Sequence, residues 1–169
     1  MLNTVVLEQL ATELRDILKL DSETILNPNH LEELSKKIVA TLEGFKIESS
    51  EDAPWLLLEN EKNFTIHIYG NEETRFYDLV QQLAFAIVLD KKSLNYYQLQ
   101  RSVYTFPRMS SEDNGASNYL MLAFMMPKKA FLYALTQYSS GDGSSVHIFE
   151  MQEKVNKYCY RRGKDLHIW

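Results

Sequence analysis

The spacing of Phe76, Leu79, Val80, Leu83, Ile87 and Val88 constrains the fold of this chain more than any other feature. These residues recur at i, i+3, i+4 and i+7, the rhythm of an α-helix with one apolar face. Asp78 and Gln81 share a face with Phe85 and Leu89, which makes a second stripe half polar and half apolar. A helix of this kind, running from about Glu73 to Leu89, has to be covered by other elements.

Those elements are legible on both sides. Val5, Leu7, Leu10, Leu14, Ile17 and Leu18 mark a first helix that ends near Lys19-Leu20. Asn27-Pro28-Asn29 is a turn with capping chemistry, and His30 to Leu42 reads as a second helix stopped by Gly44. Phe45-Lys46-Ile47 begins a strand region, followed by a hairpin of Trp55-Leu56-Leu57-Leu58 and Phe64-Thr65-Ile66-His67-Ile68-Tyr69. Pro107 and the polar run 110–115 read as exposed loop. A short helix is expected from Ala116 to Met125, another from Pro127 to about Tyr138, and the last ones from about His147 to Arg162. Few strands among many helices predict an α+β domain, with helices packed on a small, mainly antiparallel sheet. Residues 1–25 read as an N-terminal helical extension and 26–169 as a single domain.

Composition sets further bounds. The 169 residues suit one domain, and 45% hydrophobic with 12% aromatic content can build a core. A single cysteine, Cys159, excludes an internal disulfide framework, and no Cys/His cluster suggests structural zinc. No apolar run reaches the ~18 residues of a membrane span, so a soluble protein without membrane association is expected. The net charge of −5 argues against general nucleic-acid binding. Lys154, Lys157, Arg161, Arg162 and Lys164 nevertheless form a basic cluster that suits phosphate contact. A solvated helix face with favourable charge at its C-terminus is the preferred reading, because no aromatic residues interleave in the single-strand-binding manner.

Four segments carry a resemblance. They are Glu43-Gly44-Phe45-Lys46-Ile47-Glu48, the helix around Gln81-Gln82-Leu83-Ala84-Phe85, the run Asn118-Tyr119-Leu120 through Met126-Pro127 to Phe131, and the tail Arg161 to Trp169. In this order and spacing the chain, from about Asn29 to Trp169, resembles the ImmA/IrrE family of small bacterial and phage zinc peptidases. The resemblance implies a zincin-like minimal metallopeptidase fold. In that family an H-E-x-x-H helix supplies two zinc-binding histidines and a glutamate that activates water. The aligned positions here hold Gln81, Phe85 and Gln82, while Ala116 stands where the third ligand would be. Catalytic zinc takes about three protein ligands, so the resemblance implies a degenerate, catalytically inactive member without metal or other cofactor.

Active relatives cut repressors of phages and mobile elements. A dead member is expected to keep the recognition groove and bind a protein partner, either such a repressor or another host protein, as a regulator or inhibitor in a bacterial or phage-infected cytoplasm. The groove would be lined by Asp78, Gln81, Gln82, Phe85 and Ala116, with the 90–115 loop over it bearing Tyr96, Tyr97 and Tyr104. Phe85 is expected to fill the space of the missing metal and water. Two alternatives stand beside this reading. One is a nucleic-acid-binding accessory protein using the C-terminal basic helix. The other is an enzyme with relocated chemistry at His67, Gln81, Tyr77 or an unassigned carboxylate, though the sequence shows no convergent acid–base pair. His67 should point away from the face of Ile66 and Ile68. His30 reads as a solvated residue at a helix start, His147 and His167 have no carboxylate or cysteine at ligand spacing, and neither a P-loop nor a G-x-S-x-G elbow is present.

Overall fold

The computed structural model describes residues 3–59, 63–91, 102–104, 111–139 and 153–168. Helix α1 (Thr4–Ile17) starts at Asn3, whose side-chain oxygen accepts the Val6 N–H at 2.9 Å. It ends two residues earlier than its apolar pattern suggests. Lys19 adopts φ +52°, and the Leu20 N–H reaches back to the Arg15 carbonyl at 2.9 Å, closing the last turn. A 3-10 turn (Pro28–His30) then leads into α2 (Leu31–Thr41). The Asn27 side chain accepts the Asn29 N–H, and the His30 ring accepts the Asn27 N–H at 3.0 Å. His30, expected to be solvated, is therefore part of a cap.

Strands β1 (Phe45–Ser49), β2 (Trp55–Glu59), β3 (Asn63–Ile68) and β4 (Ser102–Tyr104) form one sheet in the order β1-β3-β2-β4. The expected hairpin is β2–β3, antiparallel, with Leu56 opposite Ile66. β1 runs parallel to β3, and β4 pairs antiparallel with β2, so two of the three pairings are antiparallel. Strand β4 lies inside the segment read as loop. It is short and lacks flanking turn residues, so pattern alone gives it no signature.

Helix α3 (Glu72–Lys91) touches β3 and β2 as well as α4 (Ser111–Met125). It is buried nearly all round rather than on one stripe: between Phe76 and Leu89 just Gln81 and Ile87 are partly exposed. A helix covered nearly all round belongs near the centre of a fold. Its apolar residues join those of α1 (Leu7, Ala11, Leu14), α2 (Leu34, Ile38), β3 (Phe64, Ile66, Ile68) and α4 in one cluster. Residues 1–25 thus share their core with the remainder of the chain.

The run from Ser111 to Gly115, expected as loop, is the start of α4. Serine, aspartate and asparagine favour helix starts and turns alike, so composition does not separate the two. The other end of α4 explains the Met-Met-Pro sequence. Pro127 stops the helix, which leaves the last carbonyls without intrahelical donors. The Phe124 carbonyl accepts from Arg15 Nη1 at 2.6 Å, the Met125 carbonyl from the Leu26 N–H at 2.9 Å, and the Met126 carbonyl from Arg162 Nε at 3.0 Å. Two buried cations at a helix C-terminus also meet its partial negative charge. Helices α5 (Lys128–Ser139) and α6 (Glu153–Asp165) complete the described elements. Among the described residues no helix is long and apolar enough to cross a membrane.

Candidate functional site

Helix α3 and the sheet above it position the residues singled out from the sequence. Gln82 is 1% exposed and donates from Nε2 to the backbone carbonyl of His67 at 2.8 Å. Its Oε1 is enclosed without a hydrogen-bond partner among the described residues. Phe85, one turn away from Gln81, is buried in the core, whereas Gln81 and Ala116 are partly exposed. Asp78 is nearly buried, and its Oδ2 accepts the Tyr69 N–H at 3.4 Å, a long bond at the end of β3. The window at 81–85 therefore contributes mostly to the interior, with Gln82 stitching the helix to the central strand. Of the expected groove residues, Gln81 and Ala116 keep partial access to solvent.

A second grouping lies across the sheet. Register places Glu48 of β1 and Trp55 of β2 on either side of His67 in β3. The Trp55 and His67 rings stack at 3.4 Å between centroids, 6° from parallel, and Glu48 Oε2 lies 3.3 Å from His67 Nε2. His67 Nδ1 is enclosed without a partner among the described residues. Sequence reading placed His67 on the correct strand but missed Glu48 and Trp55. The parallel β1–β3 register brings Glu48 alongside, and nothing in β1 itself announces it.

Proton chemistry is muted around α3. Burial raises the Tyr77 hydroxyl far above a tyrosine's ordinary range, and Tyr158, whose ring lies 5.1 Å from Tyr77, is raised by the same cause. Burial also pushes the Cys159 thiol up to about 11. These groups stay protonated near neutral pH and are poor bases or nucleophiles there. Among the described residues no three of His, Cys, Asp and Glu converge as a metal-holding group.

The basic cluster separates on the structure. Arg162 is fully buried, with Nη1 and Nη2 paired to the two Glu8 carboxylate oxygens at 2.6 and 3.1 Å. It stands 5.7 Å from the Tyr119 ring, and the Tyr119 hydroxyl donates to Glu8 at 2.9 Å. Burial, with Glu8 accepting its proton, pushes that hydroxyl up to about 12. Arg162 is thus an internal clamp and no part of a surface patch. Arg161 is exposed and pairs with Asp165 at 3.3 Å, Lys164 lies over the Tyr160 ring, and Lys157 is exposed. Lys154 lies within α6. The backbone of Tyr104 lies opposite Leu56 in β4, while Tyr96 and Tyr97 lie outside the described residues.

No protein-family model matches the sequence, and no curated protein and no solved structure matches it.

Proposed function

We propose that the chain is a non-catalytic protein with a metallopeptidase-like plan, of the ImmA/IrrE type, that holds a protein partner without cutting it. The supporting observation is the use of Gln82. The residue aligned with the water-activating glutamate donates its amide to the His67 carbonyl at 2.8 Å inside the core. A carboxylate at that place would be acceptor-only and could not make this bond. With Phe85 buried beside it, the window works as core packing, and the metal chemistry implied by the family frame has no residues to carry it.

The proposed partner is a repressor-like regulator of a phage or mobile element, or a host protein, met in the cytoplasm. Its contact surface is the rim of the old groove, with Gln81, Ala116 and the aromatic residues of the 90–115 segment. The nucleic-acid reading draws less support, because one of its five cations, Arg162, is internal. Relocated enzyme chemistry finds the pair Glu48 and His67, but His67 is 7% exposed and its ring is covered by Trp55.

Co-purification from the native host tests the proposal, comparing the wild-type chain with a folded Tyr96→Glu/Tyr97→Glu variant. The expected result is one protein enriched intact with the wild type and lost with the variant. Recovery of that protein as specific cleavage fragments would contradict the non-catalytic reading.

A further inference from the structure

Away from the groove, the structure contains a cavity of about 360 Å³ between α1, the end of α2, the sheet and α3. That volume lies within the ~300–1,000 Å³ range of small-molecule sites. Its base is apolar. Leu14 and Phe64 are 4% and 2% exposed, and Phe45 stacks on Phe64 with ring centroids 5.1 Å apart. Glu13 and Glu43 belong to the same lining, and both are exposed.

Several glutamates of the chain are paired within the fold. Glu8 meets Arg162, Glu23 meets Lys129, Glu32 meets Lys36, Glu33 meets Lys37 and Glu48 meets His67. Among the described residues no such partner faces Glu13 or Glu43. An apolar pocket beside two uncompensated negative charges complements one chemical class. We infer that the cavity binds a small organic cation with an apolar body, a primary amine carried on an alkyl or aryl chain. The chain would lie against Leu10, Leu14 and the Phe45–Phe64 pair, and the ammonium would sit between the two carboxylates. Neutral or anionic molecules of the same shape gain the apolar contact alone, so charge sets the selectivity.

Calorimetric titration of the full chain with octylamine, and with octanoate as the matched anion, tests this. Octylamine should bind saturably and octanoate more weakly, by about 5-fold, the upper end for one exposed ion pair. Glu13→Gln with Glu43→Gln should remove that preference while leaving the circular dichroism spectrum unchanged. Leu10→Trp, which fills the cavity from its partly exposed wall, should abolish octylamine binding; Leu10→Phe serves if the larger ring impairs folding. Equal binding of both probes, absence of saturable binding, or full binding by a folded cavity-filling variant would each overturn the inference. So would concentration-dependent self-association relieved by Leu10→Trp in a chain indifferent to octylamine, which would assign the surface to a second copy.

Discussion

Arg162, on the last helix, grips both carboxylate oxygens of Glu8, on the first, at 2.6 and 3.1 Å. The guanidinium is fully buried, whereas the Glu8 side chain keeps 32% exposure, so the pair forms a plug with one wet end. The same arginine closes the C-terminus of α4 through the Met126 carbonyl. One side chain therefore links three helices, and a charge in the basic tail turns out to be a tie across the fold.

Removing both sides of this pair should cost less than the two single removals added together. Glu8→Ala leaves a buried, unpaired cation and is expected to lower stability by ~2–4 kcal/mol, slightly below the usual range for a buried pair because Glu8 is partly wet. Arg162→Met should cost a similar amount through the orphaned Met126 carbonyl. Urea unfolding of both single variants and the double variant checks this. The double variant should be clearly more stable than the sum of the two losses implies.

Gln82→Glu, which restores the glutamate of the proposed metallopeptidase-like plan, should destabilise the chain near neutral pH by ~3 kcal/mol or more, because a buried carboxylate would face the His67 carbonyl. Burial raises the folded pKa of such a carboxyl above its unfolded value. The penalty should therefore be absent below the ordinary glutamate range and grow as pH rises. Gln82→Met, which loses the bond without adding charge, should cost ~1–3 kcal/mol with little pH dependence. Unfolding midpoints of the two variants across acid and neutral pH separate these outcomes.

These expectations also show what could be read from the residues. The position and length of α3 follow from the 3.6-residue spacing of Phe76 to Val88, and the β2–β3 hairpin follows from two apolar runs around a polar turn. Periodicity could not tell that α3 is enclosed nearly all round, because burial of Gln82 and Asp78 depends on what packs over them. Strand β4 is three residues long and is held by its pairing with β2, a non-local interaction. Burial of Arg15 and Arg162 was equally invisible. Each is enclosed because it meets carbonyls of Phe124 or Met126, far away in the chain.

Asp165 offers a pH test based on the native sequence. Burial raises its carboxyl above an aspartate's ordinary value, against the opposing pull of Arg161 and Arg162. A raised folded pKa means that the fold is relatively favoured below the unfolded pKa and loses that advantage as pH climbs through the folded one. Asp165→Asn should therefore match the wild type or fall slightly below it near pH ~3, and gain relative to it towards neutrality. Chemical denaturation at both ends of this window measures the difference. A relative loss at neutral pH would mean that the Arg161 contact outweighs burial.

Zinc tests the central claim most directly. The native chain is predicted to carry no stoichiometric zinc after purification and to show no rise in melting temperature when zinc is added in excess. The variant Gln81→His, Gln82→Glu, Phe85→His and Ala116→Glu rebuilds the ligands of the proposed ImmA/IrrE-type plan, and although Gln82→Glu and Phe85→His weaken the core, zinc should stabilise it. Elemental analysis and thermal unfolding of both chains, with and without zinc, give the readout. About one tightly bound zinc in the native chain, with zinc-dependent stabilisation, would contradict the account; a metal-free native chain beside a zinc-responsive variant is the result it predicts.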